Sequence, residues 1–229
     1  MKRALFALAL SFFASSVVLA ATPAPLPDTP LAGEVAFVQS VSKDLNARFP
    51  NPAAAAKAGF FRYNNEDRTG AISYTNLNWT SVDQKHPTQL WYDVNGRLLG
   101  ADFSRPFGMP AMTPPNVWGV NPQRWFKFCR PPGCTGHVHW ILKNADGTVK
   151  YGLAVTGKAF IAAGGNLANP QVATLVKMGK VTDASQVVKI FEFPAMWDVE
   201  VWVTPNPSGA FASANPLVHP SKPNAKGEM

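Results

Sequence analysis

Residues 89–103 read QLWYDVNGRLLGADF. Two runs of large apolar residues flank Asn95-Gly96, the dipeptide that most favours a tight hairpin, because a type I′ turn needs positive φ at both central residues. The stretch therefore predicts two antiparallel strands, 89–94 and 97–103. Working outward, FFRYN (60–64) and AISYTNLNW (71–79) precede it with the same strand-like alternation. RWFKF (124–128), GHVHWILKN (136–144), TVKYGLAVT (148–156), KIFEF (189–193) and MWDVEVWVT (196–204) follow it. Ala145-Asp146-Gly147 joins two of these as a second hairpin. The stretches LWYDVNGRLLGADF and HWILKNADGTVKYGLAV share an aromatic strand, a polar turn ending in Gly and a Gly-containing strand. Hairpins share that chemistry by default, so the likeness is a thin basis for an internal repeat.

Helical periodicity is confined to three places. In LAGEVAFVQSVSKDLNARF (31–49), Val35, Val38, Val41 and Leu45 recur at helical spacing with Phe37 and Phe49 nearby, and Pro50 ends the run. Asn51-Pro52 reads as an N-cap followed by Pro at the first helical position, and AAAAKAG supplies a short helix stopped at Gly59. NPQVATLVKMG (169–179) reads as a late short helix. Strands grouped between a helical pair and one late helix define an α+β fold with a mainly antiparallel sheet built from hairpins. A β-sandwich or barrel with added helices is the alternative.

The first 20 residues carry Lys2 and Arg3, then an apolar run to Leu19 and small residues at Ala20 and Ala21. That is the pattern of a bacterial secretory signal peptide, too short for a membrane span. Residues 21–30, ATPAPLPDTP, form a Pro-rich leader. Residues 31–218 are expected to make one globular domain and 219–229 a flexible tail. The protein is then periplasmic or secreted, with no membrane partner once the signal is cut. The chain has 21 basic and 14 acidic residues, a net charge of +7, with no basic stripe interleaved with aromatics. That argues against nucleic acid as a partner and leaves an unknown small ligand or protein.

Both cysteines and two of the four histidines fall in CRPPGCTGHVHW, residues 129–140. An even cysteine count in an exported chain and a Pro-Pro-Gly spacer predict a Cys129–Cys134 disulfide. The spacing excludes the C-x-x-C of redox dithiols and the C-x-x-C-H of covalent haem. His137 and His139 alternate on a strand, so both imidazoles project to one face. Asp198 and Glu200 do the same on theirs. If the two strands neighbour each other with those faces matched, two imidazoles and a carboxylate converge as a divalent transition-metal site, zinc or iron. The bland reading is equally open: two hydrogen-bonded strand histidines under the loop 104–122, and a solvated acidic strand face. The His-x-His strand resembles that of cupins, yet Asn144 stands where their acidic residue would fall. A Cys₂His₂ zinc site in this segment competes with oxidation, and Met109 and Met112 offer thioethers that suit copper. No G-x-S-x-G elbow, phosphate-binding loop or dinucleotide fingerprint is present, so no catalytic residue is assigned and the balance leans away from an enzyme.

In MWDVEVWVTPNPSGAFASANPLV (196–218), Trp197, Val201, Trp202, Asn206, Pro207, Gly209, Phe211, Asn215, Pro216 and Val218 fit the pattern W-x-x-H-V-W-x-x-x-N-P-x-G-x-F-x-x-x-N-P-x-V. This resembles a family of exported bacterial proteins of uncharacterised activity. AAKAGFFRY (55–63), GAISYTN (70–76) and GRLLGADF (96–103) resemble the same family's Ala-rich helix and first hairpin. The pattern's His falls on Glu200 here. The resemblance implies secretion and a single domain, and no reaction. Asn-Pro pairs with Gly209 are turn chemistry, and Phe211 is placed to pin that loop to the core.

Overall fold

The structure is a computed structural model that describes residues 30–80, 83–107, 113–129 and 134–223. The expected signal peptide, residues 21–29 of the expected leader, Met109, Met112 and the last six residues lie outside the described residues. Two helices open the fold, α1 (Ala32–Arg48) and α2 (Pro52–Lys57). Nine strands follow: β1 (Phe61–Arg62), β2 (Ile72–Thr75), β3 (Gln89–Tyr92), β4 (Leu98–Pro106), β5 (Phe126–Phe128), β6 (His137–Lys143), β7 (Val149–Thr156), β8 (Val187–Phe193) and β9 (Met196–Trp202). Helices α3 (Gly157–Ala162) and α4 (Val172–Lys177) lie between β7 and β8. The fold is α+β with two antiparallel sheets: six strands in the order β1-β2-β3-β4-β9-β5, and three in the order β7-β6-β8.

Alternation along the strands decides what each face meets. Leu90 and Tyr92, Ala101 and Phe103, and Trp197, Val199 and Val201 share one face of the large sheet and pack on Phe37, Val41, Leu45, Phe49 and Ala55. The buried stripe of α1 is Glu34, Phe37, Val41 and Leu45. Of the expected positions, Val41 and Leu45 are buried and Val38 partly so, while Val35 is exposed and Phe37 takes the core position instead. On the small sheet, Val138 and Trp140 pack outward on Phe160, Leu175 and Val181, around α3 and α4. Helix α3 was not anticipated; its cap is Thr156, whose hydroxyl accepts from Ala159 N–H.

The two hairpins have one construction. Gly96 N–H donates to Asp93 C=O and Asp93 N–H to Arg97 C=O; Gly147 donates to Asn144 and Asn144 to Thr148 in the same way. Within the two turns only Gly96 and Gly147 have positive φ, so the first turn is not the type I′ expected from Asn95-Gly96. An Asp or Asn opens each turn and a glycine closes it, with the register shift nearby that such loops impose.

Phe107 and residues 113–122, described parts of the long loop, turn to the helix side of the large sheet rather than over the histidines. Trp118 stacks on Phe37 at 5.8 Å, and Phe107 meets Trp197 at 5.6 Å. Gly33 and Gly119 cross backbone to backbone there, where a Cβ on Gly33 would stand 2.6 Å from the Gly119 carbonyl oxygen. The Asn-Pro turns work as read: Asn206 accepts from Ser208 N–H and Asn215 from Leu217 N–H, while Phe211 packs on the main core. Ser221 in the tail donates its N–H to Glu66 at 2.6 Å.

Candidate functional site between the sheets

The other face of the large sheet carries a buried polar strip between Met196 at one end and Trp91 and Trp202 at the other. Ser73, Thr75, Gln89, Asp102, Ser104 and Asp198 lie on it, all buried, and Glu200 beside them is half-buried. The register sets their order: Asp102 faces Gln89 on one side and Glu200 on the other, and Ser104 faces Asp198. Met196, on the same face of β9, packs with Tyr63, Phe191 and Phe193, which brings the inner face of the small sheet against it. His137 and His139 project from that inner face, paired across β8 with Phe193 and Phe191.

Both histidines are buried, with ring centroids 4.7 Å apart. His137 packs on Phe128 of β5 and on Phe193, and His139 on Tyr63 and Phe191. The Tyr63 hydroxyl donates to Gln89 Oε1, and Gln89 is the cross-strand neighbour of Asp102. The imidazoles and carboxylates therefore belong to faces that meet across the seam, as the i, i+2 spacing requires. They do not sit on neighbouring strands, since β6 and β9 belong to different sheets. Among the described residues, no three His, Cys, Asp or Glu side chains come together as a group that could hold a metal ion. Cys129 and Cys134 form the disulfide, with Cα atoms 4.8 Å apart, and so are not metal ligands.

The carboxyl groups are electrostatically abnormal. Burial pushes Asp102 well above the usual carboxylate range, the negative charges of Glu200 and Asp198 push it further, and the Trp91 Nε1–H bond at 3.3 Å opposes them. Burial raises Asp198 to about 7, against the nearby Ser104 hydroxyl and with help from Glu200. Burial and then Asp67 raise Glu200 to about 6. The Ser104 hydroxyl, hydrogen-bonded to Asp198, favours its ionised form. Asp102 Oδ1 is buried with no hydrogen-bond partner among the described residues. Such groups are rare in native proteins and point to an unseen partner, strain or function.

Asp102 and Ser104 were not singled out in the sequence. Their signal was the polar alternation of GADFS, which reads as an ordinary solvent face and reveals nothing until the second sheet covers it.

The disulfide spans the passage between sheets, from just after β5 to just before β6. Closing so short a loop restricts the unfolded chain modestly, by about 2 kcal/mol. Urea unfolding of a Cys129→Ser/Cys134→Ser variant is expected to show that loss, with cooperative unfolding retained.

Fold and site together define a two-sheet α+β protein with a buried acidic seam. No family model, curated protein or solved structure matches the chain. Among the described residues no helix is long and apolar enough to cross a membrane.

Proposed function

We propose that the mature protein is a binding protein of the periplasm or the extracellular space, which takes a small ligand into the seam between its sheets. One observation carries this reading: Asp102, Ser104 and Asp198 are buried together on one sheet face, and Asp102 Oδ1 lacks a partner among the described residues. Leaving buried polar atoms unmade costs about 1–3 kcal/mol each, a cost that a ligand's donors would remove. The N-terminal pattern and the disulfide support export.

The test is thermal unfolding of tag-free mature protein against a panel of amines, carboxylates, amides and sugars. A seam ligand raises the melting temperature of the wild type and loses most of that effect in Ser104→Ala and Asp102→Asn. Increases that survive both substitutions, or no increase across the panel, reject the reading.

A second reading, a zinc or iron site at His137 and His139 serving binding or a metal-dependent reaction, has their adjacency in its favour but needs Glu200 or Asp198 to move in, since no carboxylate joins them as a metal-holding group among the described residues. Elemental analysis of tag-free protein beside a His137→Ala/His139→Ala variant decides it. Near-stoichiometric metal that vanishes in the variant supports it. No metal in the wild type, even after incubation with excess ions, removes it.

A further inference from the structure

Three sides of the seam are closed by the strands themselves. At one end the Cys129–Cys134 disulfide and the short step from β8 to β9 join the sheets. Along the β1 edge, Gly152 N–H of β7 donates to Tyr63 C=O at 2.9 Å and Asn65 Nδ2 to Tyr151 C=O at 3.1 Å. Along the β5 edge, Phe128 packs on His137 and Phe193 of the small sheet. The fourth side is the Trp91 and Trp202 end of the polar strip. There the C-terminal segment lies over the two indoles, with Val218 packed among Ala71, Trp91, Leu99 and Trp202.

This segment is held by other means than the three closed sides. Asn215 anchors its start: the side chain is buried, and its Nδ2 donates to Pro205 C=O at 2.9 Å. Residues 216–221 belong to no helix or strand, and Pro216, Leu217 and His219 are exposed. Val218 is the side chain they bury. The His219 backbone then passes over Gly70, where a Cβ would stand 2.9 Å from the His219 carbonyl oxygen. Beyond it, Ser221 donates its N–H to one carboxylate oxygen of Glu66 and its hydroxyl to the other, both at the surface. Segments held by few buried contacts and by exposed hydrogen bonds open locally while the sheet beneath them stays intact. Under Val218 lies the route to the strip, because the Trp91 Nε1–H donates to Asp102 Oδ2 at 3.3 Å.

We infer that residues 216–221 are a strap that lifts off Trp91 and Trp202 from its anchor at Asn215 while the two sheets stay paired, and that this opening admits solvent and small solutes to the Asp102 end of the seam. As an entry for a ligand, the strap rests on the reading of the seam as a ligand site.

Hydrogen exchange followed by NMR on the mature protein tests the strap, because the Trp91 indole proton is bonded to Asp102 and reports solvent arriving there. The Leu45 amide in α1, on the opposite face of the large sheet, is the reference. In the wild type the Trp91 indole proton is expected to be at least about tenfold less protected than the Leu45 amide, through an opening that low urea leaves unchanged. Glu66→Ala, which cuts the strap's outer tie, and Val218→Ala, which removes its buried one, each speed Trp91 exchange by about tenfold or more without a matching change at Leu45. If Val218→Ala lowers the stability of the whole fold, Leu45 speeds with it, and Glu66→Ala alone decides. Equal protection of the two protons in the wild type, or Trp91 exchange unchanged by Glu66→Ala, overturns the strap. Acrylamide is expected to quench the indole fluorescence of Glu66→Ala more than that of the wild type. Equal quenching limits the opening to water and removes it as an entry for solutes. If the strap behaves as expected while no class of the ligand panel stabilises the wild type, the strap stands and the seam reading falls. If a panel ligand stabilises the wild type and not the seam variants while the strap is overturned, the seam reading stands and this inference falls.

Discussion

Replacing Glu34 with Ala is expected to cost about 3 kcal/mol or more of stability. Glu34 has no exposed surface and sits in the first turn of α1. One carboxylate oxygen accepts from Arg124 Nε at 3.0 Å and from Asn121 N–H at 3.3 Å; the other accepts from Leu31 N–H at 3.0 Å. Burial alone would raise its pKa, but the Arg124 bond and these N–H donors outweigh it and hold the carboxyl below its usual range. Removing the carboxylate leaves Arg124 mostly buried beside Phe211 without its charge partner, and frees two backbone donors. It also releases the stretch 117–124 from the helix it packs against. Urea unfolding at pH 7 measures the loss, and Glu34→Gln should recover part of it. A loss below about 1 kcal/mol for the Ala variant would show that the pair contributes no more than a surface ion pair does.

The second large effect depends on pH and has the opposite sign. A carboxyl whose folded pKa lies above its unfolded value keeps its proton in the folded state after the unfolded chain has lost it. Stability then falls as pH rises from the ordinary carboxyl range to the folded pKa, and levels off beyond it. For Glu200 and Asp198 that window runs from about 4 to about 6 and about 7, and for Asp102 it extends upward from the same start. Neutralising the buried pair as Asp102→Asn/Asp198→Asn should therefore stabilise the protein more at pH 8 than at pH 5. A tenfold difference in proton affinity between folded and unfolded chain corresponds to about 1.4 kcal/mol, so the gap between the two pH values is expected to exceed about 2 kcal/mol. Urea unfolding of wild type and variant in one buffer at each pH measures the difference. A constant difference between pH 5 and pH 8 would mean that the two acids ionise normally.

The hairpins were legible because Asn95-Gly96 and Asp146-Gly147 are local chemistry: a side chain that captures backbone N–H groups, then a residue free to take positive φ. The chemistry of each turn was readable, and its type was not. The register of α1 misled because Val35 and Phe37 are both apolar and only packing chooses between them. Helix α3 follows β7 without a break, and its Thr156 cap is indistinguishable in sequence from another strand threonine. The site was half readable. His137 and His139 announced themselves by spacing. Asp102 and Ser104 did not, because a period-two polar face looks wet whether water or a second sheet lies over it. Which sheet owns β6 is a tertiary fact that no local pattern carries.

The chain passes between the sheets at two adjacent points. One is the Cys129–Cys134 segment between β5 and β6; the other is the two-residue step Pro194-Ala195 between β8 and β9. They are side by side, since Phe128 pairs with Met196 and His137 with Phe193. Gly136 presses so closely there that a Cβ would stand 2.6 Å from the Phe193 carbonyl oxygen. Mechanically this end is the spine of a book, with the acidic seam as the inside of its pages. The fore-edge is fastened too: Gly152 N–H of β7 donates to Tyr63 C=O, and Asn65 Nδ2 to Tyr151 C=O. The book is thus bound covalently at its spine and clasped by hydrogen bonds at its other edge.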